Sequence, residues 1–200
     1  MKTRLLAHTP YEELRDRFPE LDLRQLLPHL AYTFAVEKIS RACSHQLVRH
    51  RVASFSQQSQ RYITVKRLSE RVVTPPTVDD SETFHELVEK ASEAYQGLVE
   101  SGVPREDARF VLPNATETSL LMTMDGAALF HFYGLRLCNR AQWEIRRLAD
   151  AMLAQCRAAE PEVFENAGPY CYMLGHCPEG RFTCGGMAEA LEKYKPEGSP

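Results

Sequence analysis

Between residues 31 and 61 the hydrophobic period changes, and that change dictates what the middle of this chain can build. Tyr32, Phe34 and Val36 alternate with smaller or polar residues from Ala31 to Glu37, the period-two pattern of a half-buried strand. From Ile39 the spacing lengthens, and Ile39, Ala42, Cys43 and Leu47 share one helical stripe. Such a helix delivers Arg49, His50 and Arg51 at its end and leaves Val52 to Arg61 as a loop held by a rigid element. The delivered segment has a pointed chemistry. Arg49 to Tyr62 contains three arginines, one histidine and six Ser or Gln side chains, with no carboxylate among them. Guanidinium forks match pairs of phosphate oxygens, and Ser and Gln add neutral donors, so the segment has the make-up of an anion site. The plainer reading is a solvated basic loop whose arginines pair with acidic surface groups.

Around this centre the pattern is mixed. Thr3 to Ala7 reads as a strand and Tyr11 to Phe18 as a short helix. Tyr62 to Val65 reads as a further strand. Phe84, Leu87, Val88, Ala91, Tyr95 and Leu98 trace a long amphipathic helix that Gly102 is placed to end. Pro104 suits the first turn of a helix running to about Val111, and Thr116 to Met124 reads as a strand closed by Asp125-Gly126. Ala127 to Leu137 is expected to be helical. The clearest helix carries Ile145, Leu148, Ala149, Met152, Leu153 and Cys156 on one stripe and ends near Pro161. The fold class expected is α/β (α+β), a mostly antiparallel sheet flanked by long helices in a single domain of residues 1–200. Only Pro196 to Pro200 reads as a disordered tail.

Composition narrows the function. The chain has 200 residues, 44% hydrophobic and 26% charged, which is ordinary for a globular domain. A net charge of −3 argues against a general nucleic-acid binder, since such proteins owe their affinity to a broad excess of Lys and Arg. Lys2 and Arg4 are followed by only Leu5-Leu6-Ala7 before His8, too little apolar sequence for a signal peptide, and nothing approaches a membrane span. The expectation is a cytoplasmic protein with no membrane partner, whose six cysteines are reduced.

The order Arg49-His50-Arg51, seven residues, then Ser59 resembles the signature of the flavin-dependent thymidylate synthases. Three further blocks resemble the same family: Ser40-Arg41-Ala42-Cys43-Ser44-His45-Gln46, Ala108 to Pro113, and Leu135-Arg136 with Ala141 to Arg146. The resemblance implies a homotetramer with shared sites that makes dTMP from dUMP, using methylene-tetrahydrofolate, FAD and NADPH. It also implies roles for single residues. Arg49, His50, Arg51 and Val52, with His131, Leu135 and Arg140, correspond to flavin contacts. Gln46, Ser59, Arg61, Arg109 and Arg136 correspond to nucleotide contacts. Arg61 and Arg109 suit the phosphate, and Arg136 suits the charge that develops on the uracil ring, so Arg61 and Arg136 are the expected catalytic residues. Ser59 is expected to bind rather than attack.

The sequence departs from the family before the strand at Tyr32, where members place Gly-His, a Ser or Thr, and Glu-His. Here the stretch is Leu26-Leu27-Pro28-His29-Leu30. That gap motivates a rival: a relative that binds a pyrimidine nucleotide without catalysis, or with another uracil substrate. Outside the resemblance, residues 170–200 form a cysteine-containing tail. Cys171, His176, Cys177 and Cys184 could complete a tetrahedral structural zinc site, although buried thiols explain the same residues. A zinc-stabilised nucleic-acid module built on that tail is a third reading, disfavoured by the acidic net charge.

Overall fold

The computed structural model describes residues 1–63, 65 and 67–196. Strands β1 (Lys2–His8), β2 (Ala31–Ser40), β3 (Ala53–Gln57) and β4 (Glu117–Asp125) form one antiparallel sheet in the order β1-β2-β4-β3. Helices α1 (Tyr11–Arg17), α2 (Leu23–Leu26) and α3 (Arg41–Leu47) precede the long α4 (Glu82–Glu100) and short α5 (Arg105–Ala108). They are followed by α6 (Gly126–Arg136), α7 (Trp143–Ala159), α8 (Pro161–Phe164), α9 (Tyr170–Leu174) and α10 (Met187–Tyr194). The expected antiparallel sheet with long helices is therefore what the chain builds. No helix among the described residues is long and apolar enough to cross a membrane.

The chain divides into two compact units. The first comprises Met1–Lys2, Val36–Gln46 and Ser56–Leu120. Its core forms on α4, which Ser81 caps by accepting the Phe84 N–H. Val88 and Tyr95 are buried with Val65, Leu68 and Ala108, and Phe84, Ala91 and Leu98 pack against them. Leu87 leaves the predicted stripe and is 60% exposed. It sits about 100° round the helix from Val88, and the apolar face is complete without it. Gly102, with φ +89°, ends the helix in the left-handed region as expected.

The second unit comprises Thr3–Ala35, Leu47–Phe55 and Leu121–Pro200. All six residues of the predicted α7 stripe are buried. The Gln142 side chain starts this helix by accepting the N–H groups of Glu144 and Ile145. Asp125 starts α6 in the same way, accepting the Ala128 N–H at 2.7 Å. Tyr32 and Tyr133 meet Phe164 edge-on, with centroids 5.1 and 6.2 Å away.

Three local expectations are corrected. Ile39 belongs to β2 and not to the helix. Lys38 adopts φ +57°, which interrupts the alternation so that Ile39 and Ser40 are buried in succession, and α3 starts only at Arg41. The supposed loop from Val52 to Arg61 contains β3, whose Ala53, Phe55 and Gln57 are half-buried while Ser54 and Ser56 are exposed. Only the residues after Gln57 turn. Of the strand expected at Tyr62 to Val65, Tyr62 and Ile63 instead close a turn on the Ser59 carbonyl, and Thr64 lies outside the described residues. Most of the tail expected at Pro196 to Pro200 also lies outside them.

Leu148 is fully buried and Leu87 is not. Leu148→Ala is expected to cost about 2–5 kcal/mol and Leu87→Ala about 0.5 kcal/mol or less, read from urea denaturation midpoints.

Candidate active site

In the second unit the chain beyond α3 turns tightly, the His50 N–H meeting the Leu47 carbonyl at 3.1 Å. The turn buries His50 to 6% exposure against the face of α6, edge-on to Phe132 at 5.1 Å and near His131 at 6.1 Å. Arg136, the last residue of α6, donates from Nε to His50 Nε2 at 2.9 Å. His50 accepts at that atom, so its own proton is on Nδ1 and the ring is neutral. Burial first, then the charges of Arg136 and His131, lowers its pKa to about 4. The sequence assigned His50 to one ligand and Arg136 to another; the structure joins them.

The exposed side of α6 carries Ala127, His131 and Leu135, spaced one turn apart, while Ala128, Leu129, Phe132 and Tyr133 face the core. Arg49, Arg51 and Val52 are exposed as well. Two of the expected flavin contacts are engaged by the C-terminal segment. His131 Nδ1 shares a 2.6 Å hydrogen bond with the Tyr170 hydroxyl, and Arg140 donates to the Phe182 carbonyl while stacking over that ring. The Tyr170 ring fits only because residue 134 is glycine: a Cβ there would stand 2.7 Å from the ring. A cavity of about 250 Å3 lies in this unit, lined among others by Leu135, Arg136, Cys138, Arg140, Tyr170 and Cys184.

The remaining nucleotide candidates belong to the first unit. Gln46 donates to the Ala42 carbonyl, and Ser59 Oγ accepts the Arg61 N–H at 3.2 Å. Arg61 is held by a carboxylate that its own segment lacks: Glu106 of α5 lies 2.9 Å from Nε and 2.7 Å from Nη2. The absence of acid from Arg49 to Tyr62 was a local fact about sequence, not about space. Both partners are about half exposed, so the pair is weak and can be exchanged for a stronger anion.

Sequence reasoning missed Arg41 as a site residue. It heads α3, and its backbone N–H is fixed to the Thr116 carbonyl at 3.0 Å. Burial and the neighbouring positive charge of Arg109 lower its pKa. Neither arginine enters an ion pair among the described residues, and Arg109 only donates to the Glu106 carbonyl at 3.1 Å. Two neighbouring cations that enter no ion pair among the described residues make an anion-seeking spot in this unit. The signal available in sequence was Arg41 in the block approaching Gln46, but nothing in the spacing brought it to Arg109.

The expected metal set is not assembled. Among the described residues no three His, Cys, Asp or Glu side chains are already arranged to hold an ion. His176 is turned away, with Nδ1 3.1 Å from the Leu174 carbonyl.

Residues 4–162 match the family model of the thymidylate synthase complementing proteins, Thy1. The chain belongs to that family. Flavin-dependent thymidylate synthase from Geobacter sulfurreducens is 49% identical over 184 residues, covering 90% of this chain and 79% of that protein. The enzyme of the same name from Nitratidesulfovibrio vulgaris is 47% identical over 172 residues, covering 80% and 69%. Thymidylate synthase X of Helicobacter pylori, solved with FAD and dUMP, has a TM-score of 0.69 at 22% identity, covering 84% of this chain and 99% of that one. That likeness carries the Thy1 fold. The family resemblance read from the four sequence blocks is thus borne out.

The His50 geometry predicts a pH dependence. The folded-state pKa lies below the ordinary 6.5, so this group's contribution is fully present above about pH 6.5 and is lost as pH falls towards 4, on the order of 3 kcal/mol in all. His50→Gln, which can still accept from Arg136, is expected to flatten that limb of the stability profile in thermal melts across this range.

Proposed function

We propose that this protein is a flavin-dependent thymidylate synthase, converting dUMP to dTMP with methylene-tetrahydrofolate as carbon donor and NADPH as reductant. The observation that carries the reading is the 49% identity with a flavin-dependent thymidylate synthase across 90% of the chain, with the Arg-His-Arg segment at its centre. The site chemistry supports it. A uracil ring that accepts a one-carbon unit gains negative charge, and Arg136, oriented by neutral His50, is a fixed cation suited to that charge. Arg41 and Arg109 suit the doubly charged phosphate through charge-assisted bonds, with Gln46 and Ser59 as neutral donors from the same unit. Arg61 joins them by exchanging Glu106 for phosphate.

The donor set also fits FAD. Arg49 and Arg51 are exposed cations for a pyrophosphate, and exposed Val52 and Leu135 with His131 present a mixed surface for a ring system. Arg140 completes the set. When bound, the flavin supplies the hydride step; the chain's own residues bind, orient and exclude water. We read residues 1–200 as one synthase domain with its cysteine-bearing tail at 170–200, working in the cytoplasm without nucleic-acid or membrane partners. Exposed Val52, Tyr62 and Phe110, at 61%, 72% and 82%, support assembly into a homotetramer that covers them and shares sites between subunits.

Incubation with tritiated dUMP, methylene-tetrahydrofolate, FAD and NADPH is expected to release tritium and form dTMP; no release under any reducing condition would sink the proposal. Arg109→Ala and Arg41→Ala are each expected to weaken dUMP binding by about 1.5–3 kcal/mol in calorimetry. The rival, nucleotide binding without turnover, is motivated by Leu26–Leu30, where apolar, buried Leu26 and Leu30 stand in place of the family's polar flavin contacts. It would be favoured by a protein that binds dUMP yet retains no flavin absorbance after FAD incubation.

A further inference from the structure

Four of the six cysteines face one cavity. Cys138 follows α6, Cys171 lies in α9, Cys177 follows it, and Cys184 precedes α10; all four line the same 250 Å3 space. The other two behave as core residues. Cys43 and Cys156 are fully buried, and burial pushes the Cys156 thiol up to about 12. The cavity cysteines are partly or fully exposed, so packing does not account for them.

Residues 174–185 have little else to hold them. Apart from Cys177 they are all exposed, and the one large aromatic among them, Phe182, is 54% exposed. A segment that buries so little apolar surface cannot offset its ordering entropy by a core of its own, and short segments of this kind rely on a cross-link. The local backbone is shaped for thiolates. Gly186 N–H donates to Cys184 Sγ at 3.4 Å across Gly185, whose φ of +75° favours glycine, and a backbone N–H at Tyr172 reaches Cys171.

We propose that Cys138, Cys171, Cys177 and Cys184 form a four-thiolate site for a soft divalent cation of the zinc class, pinning the C-terminal segment to the end of α6. The ligand set differs from the one legible in sequence: Cys138, remote in the chain, takes the place of His176, whose ring is turned to the Leu174 carbonyl. The sulfurs are gathered but not drawn to a common centre. Tetrahedral zinc holds thiolates at about 2.3 Å, hence sulfurs ~4 Å apart, and the glycine-bearing loop from Cys177 to Cys184 supplies the movement. Binding exchanges four thiol protons for one cation, leaving a dianionic centre, and Arg140 on the cavity wall brings compensating charge. Four protein ligands leave no open position, so the ion is structural. Leu135 and Arg136 line the same cavity, and the ion therefore stiffens one wall of the proposed substrate site.

The test is titration of reduced, metal-stripped full-length protein with Co2+ under anaerobic conditions. The expected result is one ion per chain, with intense visible bands of tetrahedral thiolate cobalt and sulfur-to-cobalt charge transfer, all displaced by Zn2+. Cys138→Ser and Cys184→Ser abolish or strongly weaken the bands, whereas His176→Ala leaves them unchanged. No thiolate bands in wild-type protein with all thiols titratable would overturn the proposal. So would a Cys138→Ser variant with wild-type bands, or a disulfide between any two of the four found by mass spectrometry after thiol blocking at lysis.

Discussion

A neutral histidine accepting from an arginine is the contact on which the candidate site depends. An arginine at the end of a helix has four rotatable bonds and strong hydration, and by itself would sample much of the surrounding solvent. Here Nε is fixed by His50, which is itself immobilised by Phe132 and by the turn after Leu47. That contact fixes the direction of the guanidinium plane at the end of α6. An imidazole nitrogen orients the cation without adding an opposing charge of its own, which suits a group proposed to meet an electron-rich ring. The same requirement explains why His50 is kept unprotonated by burial: a second positive charge at 2.9 Å would expel the arginine.

The first unit treats charge differently. Arg41 and Arg109 are left mutually repulsive, a cost that the proposed phosphate would offset on binding. Arg61, by contrast, is parked on Glu106. Two strategies for holding guanidinium groups ready thus coexist, one by withholding acid and one by lending it. A weak, half-exposed pair is suited to lending, since it orders the side chain without competing seriously with phosphate.

Much of this was legible in the sequence. The stripes of α4 and α7, the Asp125-Gly126 junction and the Arg49–Arg51 segment at the end of α3 were all readable because their periodicity or turn chemistry is local. β3 was not, because Ala-Ser-Phe-Ser-Gln has the composition of a loop and becomes a strand only by pairing beside β4. Ile39 was misplaced because the left-handed turn at Lys38, a residue with no intrinsic preference for it, resets the register. The site was legible as a roster of residue types but not as a set of partners. His50 with Arg136, Arg61 with Glu106, Arg41 beside Arg109 and Cys138 beside Cys171 are separated by between 33 and 86 positions, and no spacing rule reports such meetings.

The absence of a side chain at residue 134 has an evolutionary consequence. The Tyr170 ring occupies the volume where a methyl group would stand, and through that ring the segment beyond residue 162, outside the family's matched region, reaches His131. Gly134 and Tyr170 are therefore coupled positions: a larger residue at 134 can be accommodated only if the ring moves, and with it the contact to His131 on α6. In an alignment of relatives, a glycine at this point of α6 should accordingly travel with an aromatic residue at the start of the tail, and the two should disappear together.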